Sequence, residues 1–490
     1  MTINPLPPIS CGDRDSSTQN LASVKKKGIH RASTVYPPAV ISSGRMNARL
    51  LIFILVPAAV AFQLTAAWAQ MPPAPTPSPP AVVAKVLTLD ECIAIALEAQ
   101  PRIQATLADY AAARYRVNQA LGPLLPQLTG AVSATRSEST FLSTSSTTGA
   151  TTSVQQSRQL GDTFLAQVQL SQLLFDFGKN LAASEAARKL AEVAVEDVEL
   201  QRQLIALTVK EAYTNFLFAL RLIRVQEEAV QRAELNLKSA KGFFEVGTRP
   251  KSDVVRVEVD VANARLDLIR ARNAQRTARV ALNTAMAIDV DAPTQIQDNL
   301  VFQAVTMDRT QLRADALRQR PEYRQVKLRV QAAEATERQM YRNFFPDISG
   351  SGTYGGSQSQ LNEQWTLGLT LSWSLFDGGS RIARYQEAKA NLDGAKARVK
   401  SQELDIVQNL EQAQIAVEEA QERIQAAQAL VASARENFRL AQGRFDAGVG
   451  TTLELADAQL ALTQAQNTES QALADYRIAL ARLDRAVGRR

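Results

Sequence analysis

The stretch Trp365-Thr-Leu-Gly-Leu-Thr-Leu-Ser-Trp-Ser-Leu375 decides how the chain is read. Trp365, Leu367, Leu369, Leu371, Trp373 and Leu375 alternate with Thr366, Gly368, Thr370, Ser372 and Ser374. One face is wholly apolar with Trp near both ends, and the other is small and polar. A β-strand crossing a bilayer needs this pattern over about 9–11 residues. A soluble sheet with one buried face would alternate too, but no further layer of apolar sequence remains to cover it. In an earlier segment Phe164, Ala166, Val168 and Leu170 alternate with Leu165, Gln167, Gln169 and Ser171. Weaker alternation follows Pro126 and Pro346, over 128–136 and 348–354.

These segments belong to a unit written twice. Leu174-Phe-Asp-Phe-Gly178 recurs as Leu375-Phe-Asp-Gly-Gly379, and Phe244-Glu-Val-Gly247 as Phe445-Asp-Ala-Gly448, both at an offset of 201. Upstream, Ala96-Leu-Glu-Ala-Gln-Pro101 matches Ala316-Leu-Arg-Gln-Arg-Pro321 at an offset of 220. The first copy therefore holds 19 extra residues between Pro126 and Leu174, including the Ser/Thr run 143–153, which is composed like an exposed loop. The first unit is expected over 86–288 with a β-hairpin at 127–175, the second over 310–488 with a hairpin at 347–375, and a linker over 289–309.

Between strand and tip each unit carries a Pro-free helical stretch. Apolar residues fall at 406, 410, 413, 417, 420, 424, 427, 431, 434, 438, 441 and 445, an unbroken 4-3 alternation. The same positions less 201 are apolar in the first copy except Gln226. This is a coiled-coil seam, and its many Ala residues allow close helix approach. At 1.5 Å per residue such a helix reaches about 100 Å.

The first 69 residues differ from the rest. Residues 1–45 show no periodicity and read as an extension or a mis-assigned start. Residues 46–69 combine a charged start, an apolar run from Leu50 to Phe62 and Ala67-Trp-Ala69, a secretory signal peptide; 70–85 is a Pro-rich linker. Of 55 Lys/Arg and 49 Asp/Glu, seven and two lie before residue 70, leaving a nearly neutral 48 and 47. The basic balance belongs to the leader, so a nucleic-acid partner is not expected. The only histidine, His30, and Cys11 lie there as well, so Cys92 is the one Cys beyond it. Histidine catalysis, disulfides within the chain and ordinary zinc sites are excluded, and no motif asks for a cofactor or metal. An enzyme is not expected.

Four strands cannot close a barrel, and an open edge is not tolerated in lipid, where every backbone polar group must be paired. The barrel must be shared: two chains would give eight strands and three would give twelve. A lumen that continues into a tube of long helices favours three.

With the repeat, the Leu-Phe-Asp-x-Gly turns and the Phe-x-x-Gly-x tips at 244–248 and 445–449, the chain resembles the TolC-like outer membrane efflux protein family over about 86–488. The resemblance implies an α+β membrane protein. It would be a homotrimer whose transmembrane β-barrel, four strands per protomer, continues as a long coiled-coil α-helical barrel across the periplasm. It implies a passive outer-membrane channel of a tripartite efflux pump or type I secretion system, working with a periplasmic adaptor, an inner-membrane transporter and the lipid bilayer. The adaptor-docking tips would be Val246, Gly247, Thr248 and Arg249 with Ala447, Gly448, Val449 and Gly450. The periplasmic entrance ring would be Asp457 and Glu454, although Glu454 also suits a Thr451 capping box. Trp365, Leu367, Leu369, Leu371 and Trp373 would face lipid. Relatives hold the mouth shut with a Tyr and an Arg at positions occupied here by Phe445 and Gly450, so no gate-lock residue is assigned; Arg249 and Asp253 are the polar groups left near the tips. The competing reading is a secreted structural coiled coil or adhesin without channel activity.

Overall fold

The computed structural model describes residues 86–145, 153–305, 308–357 and 362–490. The leader, signal-peptide and Pro-rich segments expected over 1–85 lie outside the described residues, as does most of the Ser/Thr run. The chain proceeds as β1 (Val86–Leu87), α1 (Leu89–Ala99), α2 (Pro101–Leu121), β2 (Gln127–Ser145), β3 (Ser153–Phe175), α3 (Lys179–Glu245) and α4 (Lys251–Met286). It continues as β4 (Gln295–Ile296), α5 (Arg309–Gln319), α6 (Pro321–Arg342), β5 (Asp347–Ser357), β6 (Asn362–Ser372), α7 (Ser380–Asp446) and α8 (Thr452–Val487). Two helices, a hairpin, a 67-residue helix and a 36-residue helix thus occur twice in the same order.

The expected strands form one antiparallel sheet in the order β2-β3-β5-β6. Its register puts Trp365 beside Tyr354, Val168 and Gly130, and Leu367 beside Gly352, Leu170 and Leu128. Cross-strand partners share a face, so the apolar rows align across the sheet. The opposite face carries Thr366, Thr353, Gln169 and Thr129 in one row and Gly368, Ser351, Ser171 and Gln127 in the next. Two details differ from the sequence reading. β6 ends at Ser372, so Trp373 lies past the strand, its indole Nε1 donating to the Phe344 carbonyl at 3.1 Å. The ladder stops because Ser372 pairs with Asp347, preceded by Pro346, which has no N–H. And the 19 extra residues of the first copy are not all loop: β2 and β3 run on in register to Ser145 and Ser153, past the point where β5 and β6 end.

The Leu-Phe-Asp-x-Gly turns carry the chain from sheet to helix. Asp176 accepts from Gly178 N and Asn180 N, and Asp377 accepts from Arg381 N, so each Asp satisfies donors that open the following helix.

Below the sheet the helices pack in rows. Near the strands α2 lies on α3, α3 on α6 and α6 on α7; further down α4 lies on α3, α3 on α8 and α8 on α7. The 4-3 seam is the buried face of α7, with Ile406, Val417 and Ile424 fully enclosed. In α3 the pattern holds down to Ala240, but Phe244 is 43 % exposed and its neighbour Phe243 packs instead, edge-on against Phe445. The central core gathers α1, α3, α7 and α8 around Tyr213, Phe216, Leu217, Leu410 and Tyr476. The segment expected as a linker crosses this core. Its β4 pairs in parallel with β1, and its Gln297 and Gln303 carbonyls accept from the Tyr213 and Tyr476 hydroxyls.

Candidate functional site at the hairpin tips

Helices α3 and α4 form one hairpin, and α7 and α8 form the other. At the first tip Gly247 takes φ +76° and Thr248 N donates to the Phe243 carbonyl; at the second Gly448 takes φ +75° and Val449 N donates to the Arg444 carbonyl. These are left-handed caps closing two long helices, for which glycine has no Cβ penalty. Val246 and Val449 stand at the tips, each 71 % exposed.

Arg249 joins the tips. Its Nη2 donates to the Gly450 carbonyl at 2.5 Å, and its Nη1 donates to Thr452 Oγ1 and Asp253 Oδ2, both at 3.4 Å. Thr452 Oγ1 donates to Asp253 Oδ2 at 3.0 Å. The guanidinium lies over the Phe445 ring, 4.5 Å from its centroid, and is largely shielded from solvent. Phe445 and Gly450, which offer no polar side chain, thus become a cation–π platform and a carbonyl acceptor. Sequence reading left this contact unassigned because it joins hairpins about 200 residues apart.

Above the tips the buried contacts within a hairpin are apolar, with ion pairs such as Lys241–Glu258 on the exposed side. Ala240 packs with Val254 and Val257, and Val431 and Ala434 pack with Leu462 and Ala465. The contact between hairpins, α3 on α8, is polar at this level: Asn236 Nδ2 donates to Gln459 Oε1 at 2.7 Å, and Arg232 Nη2 donates to Thr463 and Gln466.

The two acidic residues of interest have different surroundings. Glu454 sits in the first turn of α8, where Thr451 Oγ1 accepts from its backbone N–H, and its carboxylate lies 3.5 Å from Arg444 Nε. Asp457, one turn on, is exposed, and among the described residues its carboxylate has no hydrogen bond or ion pair. Among the described residues no group of His, Cys, Asp and Glu could hold a metal ion, and no helix is long and apolar enough to cross a membrane.

A long helical hairpin pair beneath a sheet with one apolar exposed face defines a class of protein, and the comparisons name it. The sequence model of the Outer membrane efflux protein family matches residues 92–287 and 312–489, and the chain belongs to that family. It is similar to the alkaline protease secretion protein AprF of Pseudomonas aeruginosa, 27 % identical over 409 residues, covering 79 % of this chain and 82 % of AprF. It is similar to the outer membrane protein TolC of Escherichia coli K12, 25 % identical over 421 residues, covering 79 % of each. Among solved structures its fold matches the outer-membrane channel OprN, with a TM-score of 0.69 at 21 % identity, covering 82 % of this chain and 89 % of OprN. It also matches the CmeC outer membrane channel of Campylobacter jejuni, with a TM-score of 0.68 at 18 % identity, covering 82 % and 85 %.

Proposed function

We propose that three copies of this chain close a transmembrane barrel in the bacterial outer membrane and form a passive efflux or secretion channel reaching into the periplasm. The observation that carries this reading is the sheet. Trp365, Leu367 and Leu369 are between 76 and 80 % exposed in the single chain, and among the described residues the outer edges of β2 and β6 have no partner strand. Apolar surface left in water costs roughly 25 cal/mol per Å², a penalty that lipid removes. Unpaired strand edges are not tolerated in lipid, so β6 of one copy is assigned to β2 of the next. Four strands from each of three copies give twelve. The rows of helices have open ends at α7 on one side and at α2 and α4 on the other, and the same rotation that joins the sheets brings α7 of one copy against α2 and α4 of the next.

The two units, 86–288 and 310–488, are read as copies of one ancestral half, and residues 46–69 as the signal that directs the chain to the periplasm. The tips around Val246–Arg249 and Ala447–Gly450 are the natural contact for a periplasmic adaptor, through which an inner-membrane transporter would supply energy. Three copies of Asp457 would ring the entrance. Glu454 is the lesser contributor, since its charge is already met by Arg444. The family consists of channels, and no side-chain constellation for catalysis is proposed. A secreted structural coiled coil would have no use for a sheet with one lipid-compatible face, and family membership favours the channel.

The test is reconstitution. The purified protein without residues 1–69 should run as a trimer in detergent by light scattering, and should insert into planar bilayers with a small conductance. A soluble, non-conducting protein of any stoichiometry would end the reading.

A further inference from the structure

The two units make the same helix–helix elbow from different residues. Arg320 ends α5 and caps α6 with φ −67° and ψ 125°, and Pro321 opens the helix. Gln100 does the same between α1 and α2 with φ −70° and ψ 117°, followed by Pro101. Each elbow meets the end of its unit's last helix: Gln100 Nε2 donates to the Ala285 carbonyl at 3.1 Å, and a Cβ on Gly488 would lie 3.0 Å from Arg320 N. In the first unit one neutral amide suffices. Arg102 there is exposed, and Thr284 Oγ1 donates to Val280 O of its own helix. The corresponding positions of the second unit, 220 and 201 further on, hold Glu322 and Arg485. Building the elbow therefore does not by itself require these charges.

Charge at the second elbow is out of balance. Among the described residues Arg320 is the one Lys or Arg that is buried, at 6 % exposed. Arg485 Nη2 donates to Glu322 Oε1, and Arg320 Nη2 lies 3.6 Å from the same oxygen, so two cations share one carboxylate. Nε and Nη1 of both arginines are buried without an acceptor. Glu322 Oε2 and Gln203 Oε1 are buried there too, without a donor. The neighbouring acids are matched elsewhere: Asp315 by Arg318 and Arg489, Asp484 by Lys210, and Glu196 by Arg324. Burial lowers the pKa of Arg320, Glu322 offsets only part of this, and Arg485 adds to it. A guanidinium nevertheless keeps its proton in proteins, so one excess positive charge stays enclosed.

We infer that the elbow between α5 and α6 binds a small monovalent anion of the halide class, held by Nε and Nη1 of Arg320 and of Arg485. Buried donors in proteins are paired, and buried charges are compensated. A halide does both at once, accepting from the two guanidinium edges and cancelling the excess charge. A water molecule would accept the same hydrogen bonds and leave the charge uncompensated. A doubly charged anion would overshoot the balance and be repelled by Glu322 Oε2 beside it. The anion would tie the end of α8 to the start of α6, an attachment that the first unit makes with Gln100 alone.

Hydrogen exchange of the purified protein in sodium chloride and in sodium gluconate of equal ionic strength reads this in solution, because gluconate is too large for a buried elbow. Residues 319–324 and 485–488 should exchange about fivefold or more slowly in chloride, since an ion that binds only the closed form suppresses opening. Residues 99–104 and 284–287, the elbow of the first unit, should exchange equally in both salts. Arg320→Gln, which gives the second elbow the residue of its counterpart, should remove the chloride effect. No difference at the second elbow, or equal slowing at both, overturns the inference. Crystals of the wild-type protein grown in sodium bromide supply a second measurement that needs no variant to fold. An anomalous difference peak within hydrogen-bond reach of Arg320 and Arg485 is expected, and water density without anomalous signal there overturns the inference.

Discussion

Arg249 Nη2 donates to the carbonyl of Gly450, 201 positions away, at 2.5 Å. That separation equals the offset between Phe244 and Phe445, so the two residues hold the same place on the two tips. The link works because the copies have diverged. A Cβ at Gly450 would lie 2.9 Å from Phe445 N and 3.0 Å from the Arg444 carbonyl carbon, so a side chain there would push this tip away from the arginine.

Replacing Arg249 with Ala should let the two tips move apart. A hydrogen bond to a charged group contributes about 1.5–3 kcal/mol, so the expected outcome is a clear rise in single-channel conductance or open time. Arg249→Lys should recover only part of the effect, because an ammonium lacks the planar fork that meets a carbonyl and a ring together. Bilayer traces of Arg249→Ala indistinguishable from wild type would remove the clamp from the account.

Gly450→Ala should act from the opposite side of the same contact. Overpacking against fixed backbone costs about 1–3 kcal/mol, concentrated in the last turn of α7. Hydrogen exchange should quicken over residues 444–452 while the central core around Tyr213 keeps its protection.

Glu322 opens α6 beneath two guanidinium groups. Arg485 donates to it and Arg320 lies 3.6 Å away, with all three side chains mostly shielded. Burial alone pushes its carboxyl upward, but the Arg485 hydrogen bond and the charges of Arg485 and Arg320 outweigh it and hold it below its ordinary 4.5. Its contribution to stability is therefore complete above that ordinary value and lost as pH falls through the lower folded one. Glu322→Gln should cost about 3–5 kcal/mol at neutral pH, because two buried cations lose their anion. Denaturant melts should also show wild type and variant converging in acid; a constant gap across pH would contradict this.

Cys92 is fully buried in α1, and burial pushes its thiol up to about 12. The thiolate needed for reaction is then scarce at neutral pH. Maleimide should leave Cys92 unmodified in the folded protein and label it fully in denaturant. Rapid native labelling would mean that α1 opens readily from the core.

The two faces of β6 should respond oppositely to charge. Leu369→Arg places a cation in lipid and should cost about 2–4 kcal/mol near the midplane. Thr370→Arg points to the other face and should be tolerated. Recovery of membrane-inserted protein after folding into vesicles distinguishes them, and equal recovery would argue that the apolar face does not meet lipid.

Much of this molecule was legible in its sequence because periodicity is a local property. The alternation from Trp365 to Leu371 and the 4-3 seam of α7 set element type and approximate length. The alternating pattern runs three residues past the strand, to Leu375 rather than Ser372, since the strand's end depends on Pro346 beside the neighbouring strand. Phe243 rather than Phe244 packs at the first tip because the helix meets Phe445 from the other hairpin there.

What the sequence by itself determined was which faces are apolar and where the helices cap, both consequences of residue type at short range. What only the tertiary structure decided was which tips and charges meet: Arg249 with Gly450, Arg444 with Glu454, and the linker carbonyls with Tyr213 and Tyr476. Hydrogen bonds and ion pairs act over a few ångströms, and no periodicity encodes which groups, whether 84 positions apart like Tyr213 and Gln297 or 201 apart like Arg249 and Gly450, folding will bring within that reach.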